Sequence, residues 1–367
     1  MKVGFNARLL QSPRLRGWNR YTVNLLMALG DLEVELVLYS DQPLSDEHLR
    51  RLDPATYRVR TSPPMRNLRF EQVWLPRACR EDAVDVLHSP FNFGLPGWRP
   101  CPTVLTLHDA IPQAYHHRSG LRTSLYHKVA RSRASHIITP SQHSKGDLMR
   151  LLGISAERIS VIPEAADPRF NAPVPAEDRR RTRERHDLPE RYVFYVGGWE
   201  DRKNIPFLVR AFAEAGVSDT GLVLAGGDAD RQGELTILAR SLGIAERVRY
   251  LLDVADEELP ALYAEALCFV YPSVYEGFGL QLCEAMAAGC PTLASNATSL
   301  PEVLGAGGDT FDPTVTKELA QMLYRVARDG RYRAELSARA MRRGHDFSWG
   351  RTARTTLGVY EQVIGEQ

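Results

Sequence analysis

The chain has 367 residues, more than the roughly 100–200 of one ordinary domain, so two domains are expected. Its 44% hydrophobic and 25% charged residues, with a net charge of +1, are those of a globular protein and exclude a disordered or fibrous chain. Five cysteines (79, 101, 268, 283 and 290) show neither CxxC spacing nor an even count, so free thiols are expected rather than a disulfide framework or a zinc site.

The opening "MKVGFNARLL" lacks a long apolar run with a small-residue cleavage site, and no later stretch holds about eighteen uncharged apolar residues, so a cytoplasmic protein is expected. Short apolar runs then alternate with longer helical patterns. In the first half they are "VELVLYS", "VDVLHSP", "TVLTLHD", "HIITPS" and "ISVIPE". In the second they are "RYVFYVGG", "GLVLAGG", "RVRYLLD", "CFVYPS" and "CPTLAS". This alternation predicts βαβ units and two parallel sheets, an α/β chain. Many of the runs end in Gly, Ser, Pro, His or Asp, where an open α/β sheet places its ligand crevice.

Between the two sets lies "PEAADPRFNAPVPAEDRRRTRERHD", whose prolines and charges predict a linker near residues 166–176. The arginines of "EDRRRTRERHD" are interleaved with acids, which predicts a solvated helix face and not a nucleic-acid patch. Lys and Arg outnumber Asp and Glu by six up to residue 168 and fall short by five beyond it. The N-terminal half is therefore expected to face something anionic, a phosphate-bearing acceptor or a membrane surface; scattered solvated arginines read equally well. "DFSWGRTARTTLGVYEQVIGEQ" closes the chain with Ala353, Leu357, Val359, Tyr360 and Ile364 at helical spacing, an amphipathic C-terminal helix.

Four motifs carry chemistry. In "LCFVYPSVYEGFGLQLCEAMAAG" (267–289) a buried strand, "LCFVYPS", leads through a glycine corner into a helix that stops at Gly289. Gly277 and Gly279 permit close backbone approach and leave the amides of Phe278, Gly279 and Leu280 at a helix start, which suits phosphate or sugar oxygens. Glu284 shares a helix face with Leu280, while Glu276 stays in the loop; carboxylates accept from vicinal hydroxyls, so two sugars joined by a diphosphate fit that spacing. Spacing alone also admits a Glu276 that complements the helix dipole and a solvated Glu284. In "YVGGWEDRKNIPFLVRAF" a strand ends at Gly197-Gly198 and the cations Arg202 and Lys203 stand before a new helix, placed to neutralise a diphosphate leaving group. "TVLTLHDAIP" puts His108 and Asp109 at a strand end, a functional pair or a turn that Asp109 caps. "RLRGWNRYTVNLLMAL" places Gly17 where a loop enters a helix, with Arg20 as structural pin or anion ligand. "HSPFNFGLP" (88–96) ends another strand in polar and aromatic residues suited to acceptor recognition.

"EGFGLQLCE" resembles the E-x7-E motif of retaining glycosyltransferases of family GT4, and the resemblance extends along nearly the whole chain. Lys203 stands at the offset from Gly197 that the family's G-x5-K-[GN] element uses, His108-Asp109 matches its His-Asp turn, and Gly17-Trp18-Asn19-Arg20-Tyr21 matches its N-terminal glycine loop. The resemblance implies a GT-B fold, two Rossmann-like doubly wound domains facing a central cleft. It implies an acceptor-binding domain over 1–168, a nucleotide-sugar domain over 169–348, and a helix over 349–367 that packs back on the first. Glu276 and the loop amides would contact the donor sugar and diphosphate, Glu284 the ribose, and His108 the donor sugar or acceptor.

The chain departs from the family pattern in three places. Gly198 stands where many members have Arg, leaving Arg202 to supply the second charge; Glu164 opens "EAAD" where Asn-Gly-Val-Asp is common; Leu252 replaces a common Gly. The departures at 164 and 252 are expected to lie away from the chemistry.

The implied reaction is front-face transfer of a hexose, of the GDP-mannose or UDP-hexose type, to a saccharide or lipid-linked acceptor in surface-polysaccharide or glycoconjugate synthesis. No DxD-like pair stands out, so no required metal and no cofactor are expected. The rival readings are a nucleotide-sugar epimerase or phosphorylase of the same fold, and a non-catalytic nucleotide-sugar-binding subunit.

Overall fold

A computed structural model describes residues 1–12, 17–111 and 132–366. Residues 14–16 of the glycine loop lie outside the described residues. The chain divides into two compact units, Met1–Glu164 with Ser348–Gln367, and Ala165–Phe347.

The first unit is built on a seven-stranded sheet. Its strands are β1 (Lys2–Asn6), β2 (Glu35–Ser40), β3 (Tyr57–Thr61), β4 (Val86–Ser89), β5 (Thr103–Thr106), β6 (His136–Thr139) and β7 (Ile159–Val161). All pair in parallel, in the order β3-β2-β1-β4-β5-β6-β7. Central strands such as β4, β5 and β6 are buried at every position, as expected where helices cover both faces of a parallel sheet.

The second unit has six parallel strands. They are β8 (Tyr192–Val196), β9 (Gly221–Ala225), β10 (Val248–Leu251), β11 (Cys268–Tyr271), β12 (Thr292–Ser295) and β13 (Asp309–Phe311), in the order β10-β9-β8-β11-β12-β13. Its core runs through Phe194, Phe212, Tyr263, Phe269 and Tyr271. In each sheet the winding reverses once, between β1 and β4 in the first and between β8 and β11 in the second. Loops leaving the C-terminal ends of strands at such a reversal diverge and open a crevice.

Three strands were not read from the sequence. β3 alternates charge and carries exposed positions at one edge, and β13 is three residues long at the edge of the second sheet. β1 is central, but its five residues begin with a lysine and hold Gly4, whose missing Cβ leaves room for the Tyr39 ring 2.9 Å away. The second unit begins at Ala165, one residue before the expected linker near residues 166–176. The arginine-rich stretch forms the helix Ala176–Arg185, in which only Thr182 is buried.

The C-terminal helix Trp349–Gly365 returns to the first unit. Trp349, Thr352, Ala353, Thr356, Val359, Tyr360 and Val363 form its buried face, so four of the seven inward positions are polar or aromatic-polar. A buried polar chain anchors it: the Tyr360 hydroxyl lies 2.6 Å from His88 Nδ1, His88 Nε2 lies 2.8 Å from Thr106 Oγ1, and that oxygen lies 3.0 Å from the Tyr21 hydroxyl. Burial pushes the His88 pKa down to about 3, so the ring is neutral and donates from one nitrogen only. The five cysteines are all free thiols, four of them buried.

Candidate active site

In the second unit the loops after β8 and β11 meet at the reversal of the sheet. The loop after β11 runs to Gly279, which adopts φ 102° and starts the helix Leu280–Ala287. A Cβ at 279 would lie 2.9 Å from Leu300 and 3.3 Å from Tyr271, so both the conformation and the space require glycine. Among the described residues no side chain caps this helix. The loop is held from behind: the Glu276 amide donates to Thr298 Oγ1 at 3.0 Å, and the Ser299 hydroxyl contacts the carbonyls of Glu276 and Phe278, each at 3.0 Å.

Onto this frame the loop after β8 brings two cations. Lys203 Nζ donates to Glu276 Oε1 at 2.7 Å and to the Tyr271 hydroxyl at 3.1 Å, and Arg202 Nη1 donates to Glu276 Oε2 at 2.9 Å and to the Tyr275 carbonyl at 3.2 Å. The Val274 amide donates to the Arg202 carbonyl at 2.8 Å, a backbone tie between the two loops. Asn204, at φ 55°, turns the chain from the cations into the helix Ile205–Glu214 and donates to the Pro313 carbonyl. Glu276 and Lys203 are 6% and 5% exposed, so the charges interact with little screening by water. Burial raises the Glu276 pKa, but the charges of Lys203 and then Arg202 outweigh it and hold the carboxyl below its ordinary value.

Glu284 lies on the next helical turn, 1% exposed, and accepts from the Tyr263 hydroxyl at 3.0 Å. Gly197 and Gly198 follow β8. The Gly197 amide donates to the Ala225 carbonyl at 3.1 Å, and a Cβ on Gly198 would fall 2.4 Å from the Glu200 carboxylate. The structure thus gathers Arg202, Lys203, Glu276, Gly277, Phe278, Gly279, Leu280 and Glu284 on two adjoining loops and one helix of the second unit.

His108, Asp109 and Gly17 belong to the first unit. His108 follows β5 and directs Nδ1 to Glu164 Oε1 at 2.8 Å and Nε2 to the Pro90 carbonyl at 3.0 Å. Its amide donates to Asn92 Oδ1 at 2.8 Å, and the Tyr21 ring meets it edge-on at 4.7 Å. Asp109 Oδ1 accepts from the Ile111 amide at 3.1 Å, so it does cap the following turn. Gly17 opens the helix Gly17–Gly30, and among the described residues nothing lies within 4 Å of where its Cβ would be.

Residues 177–343 match the family described as glycosyl transferases group 1, and residues 15–170 match that described as glycosyltransferase family 4. O-antigen chain mannosyltransferase B of Escherichia coli is 33% identical over 303 residues, covering 79% of this chain and 77% of that one. The chain belongs to glycosyltransferase family 4. A second relative, the serotype-specific mannosyltransferase WbdA of Escherichia coli, is 30% identical over 276 residues, 72% of this chain but only 34% of that longer protein. Anabaena Alr3699/HepE, solved in complex with UDP and glucose, shares the fold of the whole chain, with a TM-score of 0.79 at 21% identity over 99% of this chain and 100% of that one. The fold is GT-B.

In this glycosyltransferase several residues around the site were invisible to motif reading. Gly226 and Gly227, at φ 95° and 73°, follow β9, and Cβ atoms there would lie 2.3 Å from the Gly197 carbonyl oxygen and 2.0 Å from the Trp199 ring. The double glycine ending "GLVLAGG" was the available signal. Tyr263, Tyr271, Thr298 and Ser299 orient the acidic residues and their loop but sit in stretches without a local signature. Glu164, expected to lie away from the chemistry, is corrected by the structure: its carboxylate holds His108. That contact spans 56 residues of sequence, so no local pattern announces it.

Proposed function

We propose that this glycosyltransferase moves a hexose from a nucleoside diphosphate sugar, of the GDP-mannose or UDP-hexose type, to a saccharide or lipid-linked acceptor with retention of anomeric configuration. The observation that carries the reading is the cluster of Arg202, Lys203 and Glu276 beside an uncapped helix start at the reversal of the second sheet. An anionic diphosphate there meets backbone amides and two cations, while the carboxylates of Glu276 and Glu284 accept from sugar hydroxyls.

In the proposed reaction the bond from the anomeric carbon to the phosphate oxygen breaks, and the acceptor oxygen bonds to that carbon on the same face. The acceptor proton passes to the departing phosphate oxygen. Arg202 and Lys203 stabilise the charge that grows on the leaving group, the largest catalytic contribution in this scheme. Their charge is offered in place of a metal. Both E. coli relatives are named as mannosyltransferases, one of them for O-antigen chains, which supports mannose as donor sugar and surface polysaccharide as product class.

Cytoplasmic action with peripheral contact to an anionic membrane through the first unit belongs to the same proposal. The excess of six positive charges up to residue 168, a stretch that includes the unit's Met1–Glu164 segment, and the exposed Leu68 and Trp98, the latter with the Arg80 guanidinium 4.5 Å from its ring, support this. Among the described residues no helix is long and apolar enough to cross a membrane.

The test is thermal unfolding against GDP-mannose, UDP-glucose and UDP-galactose, followed by NMR of the product anomer. A donor at about a hundred times its Kd should stabilise by about 2.7 kcal/mol. An inverted anomer would overturn retention, and absence of stabilisation by all three would overturn the donor class.

A further inference from the structure

We propose that Glu164 is a positioning residue of the transfer reaction, holding His108 as an imidazolium that in turn fixes the Pro90 carbonyl and the loop leaving β4. The proposal rests on the reading of the chain as a sugar transferase in which His108 takes part. It assigns a role to a residue that the motifs do not include.

The geometry limits the protons to two arrangements, an imidazolium against the Glu164 carboxylate or a neutral ring against a protonated Glu164. A neutral imidazole has one N–H and one lone pair, so it donates from one nitrogen and accepts at the other. Both nitrogens of His108 face acceptors, the Glu164 carboxylate at 2.8 Å and the Pro90 carbonyl at 3.0 Å. Only the doubly protonated ring donates to both. A neutral ring beside an ionised Glu164 would set a lone pair against one of those oxygens, and the hydrogen bond and charge of Glu164 favour the ionised pair over the one in which Glu164 keeps the proton. The two side chains are 8% and 7% exposed, so neither charge is tolerable in that position without the other.

The surroundings agree. From the helix Gly17–Gly30, Trp18 stacks on the ring at 6.0 Å and Tyr21 meets its edge at 4.7 Å. From the helix Gln142–Leu152 the uncharged Ser144 hydroxyl donates to the His108 carbonyl at 3.2 Å, and from β4 the neutral His88 lies near enough to feel its field. Asp109 is the adjoining acid. Burial works against the cation, but the hydrogen bond and charge of Glu164 outweigh it, with smaller help from Pro90 and Asp109, so the His108 pKa is raised. The ring therefore stays charged to higher pH than a free histidine.

Glu164 is also the last residue of the first unit, so the pair ties the strand end that bears His108 to the segment leading into the second. An amide at 164 would accept from Nδ1 but would not hold the charge.

The experiment pairs nitrogen NMR of histidine-labelled protein with the pH profile of kcat/KM for transfer from GDP-mannose to mannobiose, in wild type and Glu164→Gln. In wild type, His108 should show two protonated nitrogens at pH 7.5 and kcat/KM should be level from pH 6 to 8. In Glu164→Gln the ring should be neutral at pH 7.5. If its pKa returned only to the free value of about 6.5, about one ring in thirty would remain charged at pH 8, so activity should fall about thirtyfold or more there. The deficit should shrink as the pH is lowered, which a merely structural loss would not show, and thermal melts at each pH confirm that the variant is folded. A neutral His108 in wild type, or the same pH profile in both proteins, would overturn the proposal. Absence of wild-type transfer from GDP-mannose would count against the proposed donor, while the NMR result decides the role of Glu164.

Discussion

Replacing Lys203 by methionine keeps the length of the side chain and removes its charge. Glu276 is then left with Arg202 at 2.9 Å and an unmet oxygen that Lys203 had held at 2.7 Å, in a position 6% exposed to solvent. Breaking a buried ion pair costs about 3–5 kcal/mol, and the remaining guanidinium places this case near the lower end, about 3 kcal/mol. The carboxylate has an alternative, to take up a proton. At pH 7, from an ordinary glutamate pKa of about 4.3, that costs about 3.7 kcal/mol, so the loss is bounded at about 3–4 kcal/mol. For a unit of this size each kcal/mol lowers Tm by about 2–4 °C, so the variant should melt about 6–16 °C below wild type by scanning calorimetry. The double variant Lys203→Met/Glu276→Gln should be less destabilised than the two single effects summed, because the buried carboxylate is gone with its partner. A Lys203→Met protein that melts within about 2 °C of wild type would refute the view that Glu276 depends on this cation for its charge.

Two further outcomes follow from the same site. Because Glu276 has a folded pKa below its ordinary value, its pairing contributes stability above about pH 4.3, and that contribution is lost as the pH falls through the folded value. The difference in Tm between wild type and Lys203→Met should therefore narrow on acidification from pH 6 to 3, and a constant difference would contradict the assignment. Gly227→Ala places a Cβ 2.0 Å from the Trp199 ring at φ 73°, so it should destabilise by more than about 1 kcal/mol and shift the loop after β9, read as a lower denaturant midpoint. An unchanged midpoint would show that the indole moves aside freely.

Most of the parallel architecture was legible because strands covered on both faces must be apolar throughout. β8 ("YVFYV") and β11 ("CFVY") declare themselves as short unbroken apolar runs. Edge strands face water on one side and lose that signal, so β3 ("YRVRT") shows no unbroken apolar run. The acidic motif was legible for a related reason. Helix periodicity and the Gly277/Gly279 corner are local, and they place Glu276 before a helix start and Glu284 one turn into it. The basic pair was legible as residues, but its partner was not. Lys203 and Glu276 are 73 positions apart, and the reversal of strand order between β8 and β11 brings their loops together.

His108 marks the limit of the local argument. The strand end left it open between a functional pair and a turn, and only the family resemblance implied contact with the donor sugar or acceptor; the structure engages both ring nitrogens within the protein, one of them with Glu164. The sequence by itself determined the class of fold, the two units and the residue types at the candidate site, because periodicity, glycine conformation and short-range spacing are properties of the local chain. Only the tertiary structure decided which cation neutralises which carboxylate, and which histidine is charged and which neutral. Ionisation in a buried site depends on desolvation and on partners a few ångströms away, and those partners come from distant parts of the chain.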